Sequence, residues 1–145
     1  MSWTTDLLDG LARLIAGAGV GIYRETGVYT TGEVGITITA VPDTPDQIIA
    51  ITPYPVDDTS GTTDVLLGVQ LRFRAGPDPR GAIAREDDVF ELLHGREHTE
   101  IGGVHVGLVW RQSSAWIGRD ARGRNELTAN YYMRAIRPAP LLIET

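Results

Sequence analysis

The side chains in this sequence that could do metal or acid–base chemistry are few and scattered. His94 and His98 lie four residues apart, a spacing at which two histidines on one helix can share a metal ion. Gly95 stands between them and is expected to end any helix there, so the spacing loses its meaning. We therefore predict no metal site and no bound cofactor.

The other candidates for catalysis also lack the surroundings that catalysis requires. Ser113–Ser114 is not part of the Gly-x-Ser-x-Gly turn that exposes a nucleophilic serine. The acid pairs Asp57–Asp58 and Asp87–Asp88 stand in a polar loop and on a charged helix face, without the apolar setting typical of a general acid. Cysteine is absent, which excludes thiolate catalysis and disulfides. The sequence therefore predicts a protein that is not an enzyme.

The charge of the chain is acidic, and its cations are of one kind. The 145 residues carry a net charge of −6, and all 13 basic residues are arginine. An acidic protein is not drawn to a polyanion such as DNA by its overall charge. Arginine alone as the cation suits planar, fixed ion pairs at interfaces.

No targeting or membrane segment is predicted. Asp6 and Asp9 come early and no basic region precedes an apolar run, so the N-terminus does not resemble a signal peptide. No apolar stretch approaches the roughly 20 residues of a membrane helix. We expect a soluble protein that folds in a cytoplasm and has no membrane partner, with residues 1–145 forming a single domain.

Two segments have the residue spacing of helices. Residues 2–18 place apolar side chains three and four apart, ending at Gly17 and Gly19. A second helix is predicted near residues 79–94, with Asp78 as its N-cap and Pro79 in its first turn. Its inner stripe is expected to contain Ile83, Phe90 and Leu93.

Other segments alternate apolar and polar residues, as half-buried strands do. The clearest is 65–74, and similar patterns cover 34–41, 104–111 and 126–135. Residues 48–54 are also apolar, and Pro53 in that run indicates that the strand lies at a sheet edge or ends there. We predict an α+β fold with a mostly antiparallel or mixed sheet of about four to five strands, packed by the two helices.

A glycine- and arginine-rich segment separates the last two predicted strands. Gly118–Arg124 reads GRDARGR and follows directly on Trp116 and Ile117. Two strands joined by such a polar segment predict a hairpin with a long projecting loop. Loops held out on a sheet are frequent places of recognition, although a solvated turn explains the glycines equally well.

Four stretches of the chain resemble one family of viral proteins. They are VPDTPDQIIAITPYPV at 41–56, VQLRFR at 69–74, ELLHG at 91–95 and VGLVWRQSSAWIGRDARGRNELTANYYMRAIRP at 106–138. Together they make the region from about residue 20 to 138 similar to the tail terminator family of long-tailed bacteriophages, often labelled minor capsid proteins. None of the stretches carries a catalytic motif.

The resemblance implies a structural role in the virion, at the junction of tail and head, after assembly in the host cytoplasm. Tail terminators form a hexameric ring that caps the tail tube, stops its growth and offers a surface to the head connector. The protein partners implied are further copies of the chain, the tail tube protein and the head connector or stopper.

A ring needs two different patches that meet between neighbouring copies. We expect one patch at the hairpin, where Trp116 and Ile117 would anchor the contact. The segment Gly118–Arg124 would dock on a neighbouring copy or on the tail tube. Its arginines, Arg119, Arg122 and Arg124, with Asp120 among them, would pair with acids there. The candidate acids are Asp57, Asp58, Asp87 and Asp88.

The resemblance also implies that DNA passes through the ring without specific binding. An acidic lumen would repel the phosphates and let the DNA slide, although net negative charge also serves solubility. Two alternatives stay open. One is another neck component, such as a head-completion or stopper protein; the other is a non-viral binding module or small enzyme, which would be a monomer with a polar pocket.

Overall fold

The structure is a computed structural model that describes residues 2–59 and 61–142. Two helices and seven strands follow one another along the chain. They are α1 (Trp3–Gly17), β1 (Ile22–Tyr23), β2 (Val34–Ile38), β3 (Gln47–Asp58), β4 (Asp64–Arg74), α2 (Pro79–Leu93), β5 (Glu97–Ile101), β6 (Val104–Arg119) and β7 (Asn125–Ile136).

All seven strands belong to one mixed sheet, in the order β1-β2-β3-β4-β7-β6-β5. The β1–β2 and β2–β3 pairs are parallel, and the other four pairs are antiparallel. The long strands β4 and β7 lie in the centre and pair along their whole length, from Asp64 opposite Ile136 to Arg74 opposite Glu126. They form the rigid middle of the molecule.

Each helix begins at a side-chain cap that the sequence provides. The Ser2 hydroxyl accepts the backbone N–H of Thr5 at 3.1 Å, and the Thr5 hydroxyl accepts that of Ser2 at 3.0 Å, which closes a capping box on α1. The Asp78 carboxylate accepts the N–H of Arg80 at 3.0 Å, and Pro79 occupies the first position of α2. Both predicted helices and their starts are confirmed.

The helices cover one face of the sheet and form a single core with it. Leu7, Leu11 and Ile15 of α1 are fully buried against strand residues of that face. On β4, Val69, Leu71 and Phe73 point to the same side, as the period-two pattern predicts. Neither described helix lies over the opposite face.

The α+β class and the mixed sheet are confirmed, but the predicted strand number is wrong, because the sheet has seven strands. The two elements that were missed are edge strands. β1 has only two residues, and β5 reads EHTEI, with Ile101 as its only buried side chain. A short strand that is exposed to solvent on both faces lacks the alternation of apolar and polar residues by which strands are predicted.

The buried stripe of α2 differs from the predicted one. Ala82, Glu86, Val89 and Leu93 face the core, whereas Ile83 is 46% exposed. Glu86 lies inside because its carboxylate accepts the guanidinium of Arg111 on β6 at 3.2 Å. A paired charge can therefore occupy a position that hydropathy assigns to an apolar residue.

The hairpin loop is also shorter than predicted. β6 continues to Arg119 and β7 begins at Asn125, so Trp116, Ile117 and Gly118 lie in a strand. Only residues 120–124 form the connection. The expected long projecting loop is instead a tight turn. The Asp120 carboxylate closes it by accepting the backbone N–H groups of Arg122 and Arg124.

A close contact fixes α1 on the β5–β6 turn. Gly10 and Gly102 lie so near each other that a Cβ built on Gly10 would stand 2.1 Å from the Gly102 nitrogen. Gly102 also has a positive φ of 59°. Two glycines without side chains therefore allow the helix and the turn to touch backbone to backbone.

Candidate protein interface

The second half of β6 is an open edge of the sheet. β5 pairs with β6 only between Val104 and Leu108. Further along, the backbone N–H of Arg111 donates to His94 Nδ1 at 3.0 Å. Within the described part of the chain, no strand pairs with the β5 side of β6 from Gln112 to Arg119. A run of unpaired backbone groups is a ready template for another chain.

Two large apolar side chains stand on this open edge. Trp116 is 49% exposed and Ile117 is 51% exposed. They sit where the β6–β7 register shifts between Trp116 and Gly118, at a bulge that increases the local twist. Exposed neighbours of this size on a β edge are typical of a protein contact.

The β6–β7 turn is built around one carboxylate. Asp120 Oδ1 accepts the backbone N–H groups of Arg122 and Arg124, each at 2.9 Å. Asp120 Oδ2 accepts Nε of Arg124 at 2.8 Å. The backbone N–H of Arg124, together with its guanidinium, holds the pKa of Asp120 below its ordinary value.

The arginines of the turn bind acids of their own chain. The Arg124 guanidinium donates to the Asp43 carbonyl oxygen at 2.6 Å and forms ion pairs with Asp43 at 3.2 Å and Asp46 at 3.3 Å. Arg122 pairs with Asp43 at 2.8 Å. The side chain of Arg124 is buried, which leaves it little capacity for a neighbouring copy. Among the described residues, Arg119 donates only to the Gly123 carbonyl oxygen, at 3.4 Å, and it is exposed.

The loop between β2 and β3 completes this network. Arg74, at the end of β4, donates to the carbonyl oxygens of Asp46 at 2.9 Å and Pro45 at 2.8 Å. Burial lowers the pKa of Arg74, and the nearby Arg124 adds to that effect. In the sequence, Asp43 and Asp46 are two acids in the short segment PDTPD. Nothing local in PDTPD indicates that its carboxylates meet arginines about 80 positions later.

The acids Asp57 and Asp58 lie at the opposite corner of the sheet. β2 pairs with β3 only as far as Ile51, so the second half of β3 has an open side, and Pro53 lies in it as predicted. The prediction that Asp57 and Asp58 stand in a polar loop is wrong, because they end this strand, beyond a bulge. Both side chains are exposed, so no apolar pattern indicated the strand. The structure does not bring them near Arg119, Arg122 or Arg124 of the same chain.

The other predicted acids are on the outside of α2. Asp87 and Asp88 are exposed, next to the buried Glu86. The partner of Glu86, Arg111, also lies over the ring of Phe90 at 4.4 Å. Glu86, Phe90 and Arg111 thus join α2 to β6 at the residue before the open half of the strand.

The uncovered face of the sheet is less suited to be a contact surface. The Tyr54 hydroxyl donates to Asn130 Oδ1 at 3.1 Å, and Asn130 Nδ2 donates to Ser113 Oγ at 3.0 Å. Trp110 and Tyr132 meet edge to face with ring centres 5.8 Å apart. The side chains in the middle of this face therefore bind one another.

No side-chain cluster resembles a catalytic or metal site in the part of the chain that the structure describes. His94 caps α2 with its ring 4.4 Å from that of Phe90, and no group of three or more histidines and acids could hold a metal ion among residues 2–59 and 61–142. A hollow of about 460 Å³ is lined by exposed polar groups such as Asp57, His105 and Arg134. Neither described helix is long and apolar enough to cross a membrane.

Comparison with known proteins supports the resemblance read from the sequence. The bacteriophage tail terminator protein family matches residues 14–136. Curated proteins give no match in sequence. Among solved structures, a chain in the virion of a native gene transfer agent particle has a TM-score of 0.52, with 14% identity over 69% of this chain and 78% of that chain. That likeness shows a shared fold.

The family match spans most of the chain, including both open strand edges and the β6–β7 turn. The chain therefore belongs to the bacteriophage tail terminator protein family, a family of structural virion proteins.

Proposed function

We propose that this protein forms a ring, a hexamer, that caps the tail tube, ends tube polymerisation and joins the tail to the head connector. Its family membership supports a structural tail protein. The observation that carries the ring is the pair of open strand edges, one on each side of the same sheet. Two different patches on one chain can meet head to tail, and such contacts close into rings when the rotation permits.

The charge of the chain suits a channel for DNA. Acids outnumber arginines by 19 to 13, and Asp57, Asp58, Asp87 and Asp88 are all exposed. An acidic lumen repels phosphates and lowers the friction on a passing duplex. We expect the purified protein to show no strong, salt-dependent binding to DNA; a steep salt dependence would contradict this part of the proposal.

The test of the capping role is to locate the protein on tail tubes. Purified tubes would be incubated with tagged protein, labelled with gold and imaged by negative-stain electron microscopy. We expect label at one tube end, and no further elongation there when fresh tube protein is added. Label spread along the tube, or capped ends that still elongate, would contradict the proposal. Binding to the head connector without binding to the tube would favour the stopper alternative.

A further inference from the structure

A small pocket lies beside the open half of β3, on the helix-covered side of the sheet. Its volume is about 170 Å³. The walls are largely apolar and come from the start of α1, from β3 and from β4: Trp3, Pro53, Pro55, Val65 and Leu67. Asp58 and Arg137 stand at its rim, with the Arg137 guanidinium 4.7 Å from the centre of the Trp3 ring. The pocket has the size and lining for one large apolar side chain.

The chain also carries a side chain of that kind at its other edge. Trp116 on β6 is half exposed, in a part of the strand whose outer side pairs with no described strand. Tryptophan is among the residues that most often contribute large shares of binding energy when they enter a pocket. A protruding Trp116 and an empty apolar pocket are thus present in one molecule.

The two features are placed so that neighbouring copies could join them. Trp116 stands opposite the core residue Leu127, and Pro55 stands opposite the core residue Leu67, so both point to the helix side. They lie at opposite edges of the sheet, because β3 and β6 are separated by β4 and β7. The registers also place Trp116 level with Ile49, six residues from Pro55 along the strands. Two copies with the same face outward can therefore join Trp116 to the pocket when they meet edge to edge and are displaced along the strands.

The charges around the two features are complementary. Arg119 follows Trp116 by three residues, a distance of roughly 10 Å along a strand, and has no carboxylate partner among the described residues. Asp58 is on the pocket rim and Asp57 next to it, both exposed. When Trp116 fills the pocket, Arg119 comes within reach of these two carboxylates.

We propose that Trp116 of one copy fills the pocket between α1 and β3 of the next copy, and that Arg119 pairs there with Asp57 or Asp58. The contact is heterologous, so each copy offers one Trp116 and one pocket. This inference rests on the proposed ring and names the residues that form its subunit contact.

The experiment compares two variants, separately and mixed. Trp116→Ala removes the protruding side chain, and Thr4→Trp fills the pocket, which Thr4 also lines. Ile83→Ala is the matched control, because Ile83 is about as exposed as Trp116 but belongs to α2 and does not line the pocket. Circular dichroism melting establishes that each variant is folded, and assembly is measured by light scattering, alone and on tail tubes.

We expect Trp116→Ala and Thr4→Trp each to weaken assembly by at least about 30-fold, the scale of a hot-spot truncation, and Ile83→Ala to assemble as the wild type does. Mixing the two defective variants should give a dimer and nothing larger, because only one intact contact can form. Normal assembly of folded Trp116→Ala, or a mixture that stays monomeric, would overturn the inference. Wild-type protein that neither assembles nor binds tubes would overturn the proposed function itself, and the inference with it.

Discussion

Arg124 and Asp120 face each other across the β6–β7 turn, with Nε of the arginine 2.8 Å from Oδ2 of the aspartate. The same arginine reaches Asp43 and Asp46 in the loop between β2 and β3. A single buried guanidinium therefore fixes the position of two loops. The exposed edge that carries Trp116 ends at this anchor, so its geometry depends on it.

Replacing Arg124 should destabilise the fold more than replacing its neighbour Arg122. Arg124→Gln leaves the Asp120 and Asp43 carboxylates without their buried donor, and we expect a loss of about 2 kcal/mol in the free energy of unfolding. Arg122→Gln breaks an exposed pair and should cost less than about 0.5 kcal/mol. Urea denaturation measures both. Equal losses would show that Arg124 does not anchor the turn.

The turn should weaken in acid. The folded-state pKa of Asp120 is below its ordinary 3.8. Its stabilising contribution is therefore present above the unfolded pKa and is lost as the pH falls through the folded value. We expect Asp120→Asn to be less stable than the wild type at neutral pH, with the gap closing below about pH 4. A gap that is constant from neutral pH to acid, measured by urea denaturation, would contradict the assignment.

The Tyr131 hydroxyl is buried without a hydrogen-bond partner among the described residues. Tyr131→Phe removes an unsatisfied polar group, so we expect the free energy of unfolding to stay equal or to rise by about 1 kcal/mol. Tyr54→Phe is the control, because it breaks the bond to Asn130 and should cost about 1 kcal/mol. Thermal unfolding compares them, and a clear loss in Tyr131→Phe would show that its hydroxyl is bonded.

The contact of α1 with the β5–β6 turn should not tolerate a methyl group. Gly10→Ala would force its Cβ against the backbone of Gly102, and we expect a loss of at least about 2 kcal/mol. Gly17→Ala changes the same helix where no atom lies within 4 Å, so stability should be unchanged or higher by up to about 1 kcal/mol. The melting temperatures of the two variants are compared. Similar values for Gly10→Ala and Gly17→Ala would contradict the close contact of Gly10 with Gly102.

The sequence predicts the elements that bury a regular face. α1 and β4 place apolar residues at periods near 3.6 and 2, and both were located within a few residues. β5 and the second half of β6 were missed because their side chains are mostly exposed on both faces. Exposure removes the alternation that a strand prediction depends on.

The candidate interface was predicted in part. Trp116 and Ile117 were identified as apolar residues beside a turn, and both are exposed on an open edge. The pairing of Arg122 and Arg124 inside the chain was not foreseeable, because Asp43 and Asp46 are brought to them only by the order of strands in the sheet. Ion pairs between distant segments leave no local pattern in a sequence.

Assembly into a ring that caps the tail tube is tested by the mass of the purified protein in solution. The mass is measured by light scattering before and after tail tube protein is added. We expect a hexamer of the 15.8 kDa chain, either free or formed on the tube end, together with tubes that stop growing. A chain that stays monomeric with tubes present, while the tubes elongate as before, would contradict it.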